Sequence, residues 1–510
     1  MFKKVLIANR GEIAVRVLRA LREMGIRSVA VYSDVDRNSL HVRKADEAYP
    51  IGPAPASQSY LNIARILEVA RRSGAEAIHP GYGFLSENPG FARACQSAGI
   101  KFIGPPPEAM EMMGSKTGAR RAMEQAGIPA VPGSLRGLAS LAEAEELAER
   151  IGYPVMLKAA AGGGGKGMRR IAARAELKSA FDGARSEARR AFGDDEVYLE
   201  KYLVAPRHIE MQVLADEHGH CVWLGERECS VQRRHQKVLE EAPSAFVDPA
   251  MRRHLGELAV RVAQAAGYAN AGTVEFLCDA EKNFYFLEMN TRLQVEHPVT
   301  EFVTGLDLVH LQLRIAAGEP LPFRQQDVTI RGHAIECRIY AEDPDNNYYP
   351  SPGKITLLVT TSGPGVRRDS GVFEGWTVPI DYDPLLAKLI VYGADRQQAV
   401  GRMLRVMSEH FIGGIKTNLP LFRRILRDPD FRAGNVDTGY LDRLLAAGPV
   451  AAATDEEGAR IAAIAAGIFT ALDPTTAGIA SPASPRGARA ESSGDSGWKR
   501  LGRAEQLRNG

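Results

Sequence analysis

Glu275 and Glu288 flank a segment that folds back on itself, and two carboxylates at that spacing suit a hard divalent cation. Glu275-Phe276-Leu277-Cys278 and Phe284-Tyr285-Phe286-Leu287-Glu288 are apolar, strand-forming runs; the polar stretch Asp279-Ala280-Glu281-Lys282-Asn283 between them reads as a hairpin tip. A turn centred on Glu281 and Lys282 sets Glu275 directly opposite Glu288, with the side chains about 5 Å apart on one face. Two bare carboxylates at that distance repel by roughly 3 kcal/mol at an effective dielectric of about 20. A cation such as Mg2+, usually held by one or two carboxylates plus nucleotide phosphates, removes the repulsion. Strand alternation carries Asn290, Arg292, Gln294 and Glu296 to the Glu288 side and turns Met289, Leu293 and Val295 away. The alternative is a solvated edge strand, against which stand the flanking aromatics and the lack of lysine on that face.

A second chemical signal lies upstream. Tyr153-Pro154-Val155-Met156-Leu157-Lys158 is a strand that delivers a lysine just before Gly162-Gly163-Gly164-Gly165-Lys166-Gly167. Four consecutive glycines are entropically costly to order, yet without Cβ atoms their N–H groups can close around phosphate oxygens. The spacing is not that of a Walker loop. A flexible surface hairpin is the other reading, and the lysines on both sides argue for phosphate.

These groups must be positioned by more than one domain, since 510 residues exceed a single compact core and suggest about three. With 64 basic and 62 acidic residues, the net charge of +2 leaves no footprint for nucleic acid or an anionic membrane. Five widely spaced cysteines fit reduced thiols in a cytoplasmic protein. Met1-Phe2-Lys3-Lys4 precedes too short an apolar run for a signal peptide, and no stretch approaches the ~20 residues that span a bilayer.

Strand, helix and strand alternate through Val5 to Ala8, Glu12 to Met24 and Val29 to Tyr32, then again through Ala77-Ile78-His79 and Lys101-Phe102-Ile103, predicting a doubly wound parallel sheet. No G-x-G-x-x-G follows the first strand, so this sheet carries no dinucleotide fingerprint. A helix is expected from about Lys116 to Ala126, and a small lobe over 130–203 carries the glycine loop as a lid. A strand-rich unit begins near Thr329 and ends near Ala447. Farther on, Thr454-Asp455-Glu456-Glu457 starts a helix with Ile461, Ile464, Ile468 and Leu472 along one stripe. A Ser, Pro, Gly and Ala-rich tether over 475–497 and a Trp498-to-Arg503 docking motif follow.

Lys158 with the glycine loop, Glu200-Lys201-Tyr202-Leu203 and the Glu275-to-Asn290 hairpin together resemble an ATP-grasp enzyme. Within that superfamily, Ala8-Asn9-Arg10-Gly11-Glu12, His79-Pro80-Gly81-Tyr82-Gly83-Phe84, Gln232-Arg233-Arg234-His235-Gln236-Lys237 and Glu288-Met289-Asn290-Thr291-Arg292 are similar to biotin carboxylase. The resemblance implies an α/β fold in three parts: a Rossmann-like pre-ATP-grasp domain over 1–114, an ATP-grasp domain over 115–328 with its lid lobe at 130–203, and an α+β C-terminal domain over 329–447. A helix and tail over 448–510 follow.

It also implies roles. Lys116 and Lys158 hold ATP phosphates beneath the loop containing Gly164 and Gly165; Glu200, Lys201 and Leu203 line the adenine pocket, with His208 and His235 completing the nucleotide site. Glu275, Glu288 and Asn290 bind Mg2+ (or Mn2+). Bicarbonate sits against Lys237, Arg292 and the Val295 backbone, with Glu296 taking its proton, so that attack on ATP yields carboxyphosphate. Arg338 stabilises the biotin enolate, with Tyr82 and Glu87 nearby; an ion pair of Glu336 with Arg338 is the structural alternative on that strand.

No Met-Lys-Met occurs in the chain, so biotin is expected on a separate biotin carboxyl carrier protein, with separate carboxyltransferase subunits, and the chain itself as a homodimer. The first half-reaction of acetyl-CoA or another acyl-CoA carboxylase is the implied activity. Ala160-Ala161 before four glycines and Lys166 after them depart from many acetyl-CoA-type sequences and resemble propionyl-, methylcrotonyl- and pyruvate-linked versions. A carbamoyl-phosphate-type ligase is the competing enzyme, and an ATP-binding scaffold without turnover is the non-enzymatic reading.

Overall fold

The computed structural model describes residues 1–159, 168–193, 195–448, 460–461 and 463–468, and for Lys116, Ala191 and Phe192 the backbone alone. The expected glycine loop, the Thr454 cap, Leu472 and the tail lie outside the described residues. Residues Met1–Ala446 form one compact unit.

Its first layer is a parallel sheet of β1 (Lys4–Ile7), β2 (Arg27–Ser33), β3 (Glu47–Gly52), β4 (Ala77–His79) and β5 (Lys101–Phe102), in the order β3-β2-β1-β4-β5. Val5, Leu6 and Ile7 are all fully buried, because a strand covered on both faces needs an unbroken apolar run. The helix Gly11–Glu23 buries Ile13, Ala14, Val17, Leu18 and Leu21 against this sheet and its neighbours. Strand order reverses between β1 and β4, where an open sheet leaves a crevice. Asn9 closes its base, its amide donating to the carbonyls of Pro80 (2.7 Å) and Tyr82 (2.8 Å).

The lid lobe is a three-stranded antiparallel sheet, β7-β6-β8, of β6 (Val155–Ala159), β7 (Met168–Ile171) and β8 (Val197–Lys201). Leu157, Leu199 and Ile171 form its core with Leu147 and Phe181 from the helices Leu141–Ile151 and Arg174–Phe192.

An eight-stranded antiparallel sheet dominates the rest. Its strands are β9 (Arg207–Ala215), β10 (Cys221–Arg233), β11 (Gln236–Ala242), β12 (Asn270–Cys278), β13 (Phe284–Asn290), β14 (His333–Tyr340), β15 (Val366–Ser370) and β16 (Leu385–Gly393), in the order β13-β12-β9-β10-β11-β14-β16-β15. The β11–β14 pairing joins the central region to the strand-rich one in a single sheet. On β14, Ile335, Cys337 and Ile339 enter an apolar core with Leu389, Val391 and Met403, while Glu336 and Arg338 take the opposite face by alternation.

The β12–β13 hairpin pairs Glu275 with Glu288, as the sequence predicts, but by a different route. Leu277 pairs with Tyr285 and Cys278 with Phe284, so the tip is centred on Glu281 alone, and the register shifts between Glu275 and Phe276. Leu287 is the extra residue, a bulge that restores the carboxylate pairing. A second correction concerns residues 291–296: β13 ends at Asn290, so a loop, not strand alternation, places Arg292, Gln294 and Glu296. Val295 accordingly does not turn away from the site.

Beyond Ala446, residues 460–461 and 463–468 are helical, and Ile461, Ile464 and Ile468 are exposed, matching three positions of the expected stripe. Among the described residues no helix is long and apolar enough to cross a membrane.

Candidate active site

The large sheet builds its polar face in rows. Glu288, Glu275, Glu210 and Arg227 are successive register partners across β13, β12, β9 and β10. Like charges placed directly opposite destabilise a sheet, so this row holds only with cations in it. Arg227 is one: it is fully buried and binds Glu210, Gln212 (2.7 Å), Thr273 (3.0 Å), Gln294 (2.8 Å) and Thr300 (2.9 Å).

Lys237 on β11 is the other. Its ammonium contacts Glu210, Glu275 (2.7 Å) and Glu296 (2.8 Å). Burial opposes its charge, but the three carboxylates together hold its pKa well above the ordinary lysine value. The same contacts act in reverse on the acids. Against the cost of burial, Lys237 and His208 hold the Glu275 carboxyl well below the usual range. Lys237, Arg338 and Arg227 do so for Glu296.

Glu275 also accepts hydrogen bonds from Asn290 (2.8 Å) and Gln294 (2.9 Å), and His208 Nε2 lies 3.1 Å from its other oxygen. Glu275 is therefore not the bare anion expected from the hairpin pattern, because the protein already supplies it with cations and donors. The carboxylates of Glu275 and Glu288 and the amide oxygen of Asn290 are hard oxygen donors, so the residues fit Mg2+.

Glu296 lies between two cations, with Lys237 on one oxygen and Arg338 Nη2 2.9 Å from the other. Arg338 pairs with Glu296 and with Glu240 (2.6 Å), and not with its strand neighbour Glu336. Arg292 donates to Glu87 (2.9 Å) and to Asn290 (3.0 Å), tying the loop after β13 to the crevice of the parallel sheet. Tyr82, Arg292, Val295 and Arg338 line one cavity of about 500 Å3. The Val295 carbonyl accepts from the fully buried Lys388 at 2.5 Å.

The remaining nucleotide candidates gather elsewhere. Lys158 pairs with Glu200 at 2.5 Å, and Arg120 binds the same carboxylate. The Lys201 side chain donates to the carbonyls of Gly152 (2.8 Å) and Tyr153 (3.3 Å), and Leu203 is half-buried nearby in the chain. His208, by contrast, joins the metal candidates through Glu275. His235 is exposed at the β10–β11 turn, where φ is +50° at Arg234 and +64° at His235, and is not drawn in with them. Gly164 and Gly165 fall outside the described residues, as does the Lys116 side chain.

Sequence reading missed several participants: Glu210, Arg227 and Lys388 within the sheet, and Arg10, which shares the cavity wall with Tyr382 and stacks 4.3 Å over its ring. Alternation alone could have placed Glu210 on the Glu275 face had the β9–β12 register been known.

Comparison with known proteins covers the same span. Residues 1–110 match the family described as biotin carboxylase, N-terminal domain; residues 115–324 match the carbamoyl-phosphate synthase L chain, ATP binding domain; and residues 336–443 match the biotin carboxylase C-terminal domain. A pyruvate carboxylase subunit of Methanothermobacter thermautotrophicus is 55% identical over 87% of this chain and 90% of its own length. A biotin carboxylase of Halalkalibacterium halodurans is 56% identical over 86% of this chain and 97% of its own. Among solved structures, the biotin carboxylase domain dimer of Hydrogenobacter thermophilus 2-oxoglutarate carboxylase, crystallised with MgADP, ADP and bicarbonate, superimposes with a TM-score of 0.85 at 48% identity, covering 88% of this chain and 99% of that one.

Proposed function

This chain belongs to the biotin carboxylase family, and from that premise we propose how its residues divide the ATP-dependent carboxylation of biotin by bicarbonate. One observation carries the assignment: Glu296 is clamped between Lys237 and Arg338 beside a cavity walled by Arg292 and Val295. Two cations keep this carboxylate ionised and fixed in place; they also lower its basicity, so its fitness as the proton acceptor rests on its position.

Bicarbonate is held by Lys237, Arg292 and the Val295 backbone, and gives its proton to Glu296. The freed oxygen attacks the terminal phosphorus of ATP; the bond to ADP breaks, and carboxyphosphate forms. Lys116, Lys158 and the loop with Gly164 and Gly165 hold the phosphates, and Glu200, Lys201, Leu203, His208 and His235 the rest of the nucleotide. Glu275, Glu288 and Asn290 would hold Mg2+ (or Mn2+), which supplies charge neutralisation at the phosphates. Carboxyphosphate then breaks its C–O bond to give CO2 and phosphate; the phosphate takes the N1 proton of biotin, and the ureido anion so formed, stabilised as an enolate by Arg338 with Tyr82 at hand, attacks CO2.

Biotin arrives on a separate carrier protein and leaves its carboxyl group with a carboxyltransferase partner, a reading supported by the Halalkalibacterium biotin carboxylase, 97% of whose length this chain covers. A homodimer is supported by the dimer of the Hydrogenobacter relative. The five free thiols support a cytoplasmic setting. An acyl-CoA is the final acceptor in this reading; pyruvate is the alternative favoured by the Methanothermobacter relative, and the carboxyltransferase that co-purifies decides between them.

The test is ADP release with free biotin. We expect turnover to require both bicarbonate and biotin, and Glu296→Gln to lower it by about 10²- to 10⁴-fold while ATP affinity is kept. ADP release that follows bicarbonate but ignores biotin would mark a carbamoyl-phosphate-type ligase instead.

A further inference from the structure

Behind Arg338 the sheet carries a second pair of opposed glutamates. Glu240 on β11 is the register partner of Glu336 on β14, which sets their side chains about 5 Å apart on one face. Both are fully buried, and no hydrogen bond reaches any of their carboxylate oxygens among the described residues. Arg338 Nη2 stands 2.6 Å from Glu240 Oε1, off the line a hydrogen bond needs, and is shared with Glu296.

The charges around them are committed elsewhere. Lys388, the register partner of Arg338 on β16, is the main opposing charge on Glu336, but its ammonium donates to the Val295 carbonyl and ion-pairs with Glu12 at 3.6 Å. Lys237 on β11 serves Glu210, Glu275 and Glu296, and Arg227 on β10 serves Glu210. From the helix His297–Thr304, His297 faces the cluster as a neutral ring, because burial and Lys388 hold its pKa well below the ordinary value. Cys229 on β10 and Cys337 on β14 are buried thiols pushed well above their usual range. Tyr340 on β14 is likewise raised by burial, and Glu12, from the helix Gly11–Glu23, is pushed up to about 7 by burial. Among the described residues no cation hydrogen-bonds to the pair; Arg338 and Lys388 oppose its charge only as ions shared with other groups, and two carboxylates this close resist ionising together.

We propose that Glu240 and Glu336 hold one proton between them and act as positioning residues for Arg338, which faces one negative charge from behind instead of two. The proposal rests on the role given to Arg338 above. Burial supports it, raising the Glu240 carboxyl to about 7 and Glu336 well above the carboxylate range. When that proton leaves for solvent at alkaline pH, the second charge draws the guanidinium back and weakens its hold on an anion in the cavity.

Infrared spectroscopy of the full chain tests the proton directly. At about pH 7, where ordinary carboxylates are ionised, we expect a protonated-carboxyl band that is lost in Glu240→Gln and in Glu336→Gln alike, with Glu12→Gln, Glu228→Gln and Glu342→Gln as the backgrounds for the other raised acids. The parent KM for free biotin should rise about tenfold over the alkaline limb, equivalent to one pK unit, and the rise should vanish in Glu336→Gln while KM for ATP stays level. Absence of the band from the parent, which needs no variant to fold, overturns the proposal; so does a band whose loss leaves the biotin profile unmoved. Failure of the functional reading shows differently, as a parent protein with no biotin-stimulated turnover and the band intact.

Discussion

Glu275 with Glu288 and Glu240 with Glu336 are built alike, each a pair of glutamates set opposite one another on adjacent antiparallel strands of the same sheet, yet their environments drive the ionisation of Glu275 and that of Glu240 and Glu336 in opposite directions. Glu275 receives Lys237, His208, Asn290 and Gln294. Glu240 and Glu336 receive no hydrogen bond among the described residues, and only a shared arginine beside Glu240. Strand pairing fixes the distance between two acids; donors arriving from other strands decide whether the distance is tolerated by charge or by a proton. Glu241, next along β11, points to the opposite face and makes the case a third way. His333 (2.7 Å) and Arg396 (2.7 Å) both bind it, and despite burial they hold its carboxyl down to about 2.

The largest expected effect comes from making the charged pair resemble the protonated one. Lys237→Met removes the cation shared by Glu210, Glu275 and Glu296, leaving three buried carboxylates around a neutral side chain. Turnover should fall about 10³-fold, and a new protonated-carboxyl infrared band should appear near neutrality. If the variant gains no such proton, the lysine does not account for the difference between the pairs.

Next in size is Glu241→Gln, which removes the acid that stays charged by ion pairing alone. Its pKa falls on folding from 4.5 to about 2, so its contribution is present above about pH 4.5 and is lost as pH drops through the folded value. The shift corresponds to stability on the order of 3 kcal/mol at neutral pH. Urea unfolding should show the variant weaker by about that much near pH 7, with the gap closing as pH falls from about 4.5 toward 2. An equal deficit at all pH values would mean that the loss is one of packing and not of charge.

The two pairs were unequally legible. Glu275 and Glu288 belong to one hairpin, so their opposition follows from local pattern, and even the misplaced turn centre is absorbed by the bulge at Leu287. Glu240 and Glu336 are joined by a pairing across nearly a hundred residues, which alternation within either strand does not announce. Alternation did separate Glu336 and Arg338 from Ile335, Cys337 and Ile339, but it could not tell that Arg338 would reach Glu296 and Glu240. Arg227 was invisible for the same reason: its partner Glu210 depends on a β9–β10 register that itself shifts between Trp223 and Glu226. Four strands of the parallel sheet were readable as apolar runs between helical stretches; β3, with Glu47 and Pro50 and only Ile51 buried, carries no such run and was missed.

The smallest effect probes the far edge of the charged pair, where His208 leans on Glu275. Gln232 Nε2 is fixed by the Cys229 carbonyl (2.8 Å) and meets His208 Nδ1 at 3.0 Å. In the neutral ring that nitrogen accepts, which puts the proton on Nε2, toward Glu275. Gln232→Leu deletes the bond that sets this tautomer without touching any acid, at a cost of about 1 kcal/mol. We expect the Mg2+ requirement of ADP release to rise about fivefold, with the biotin dependence unchanged. An unaltered Mg2+ titration would show that Lys237 alone keeps Glu275 ready for a cation, and would narrow the contrast between the two pairs to a single ammonium group.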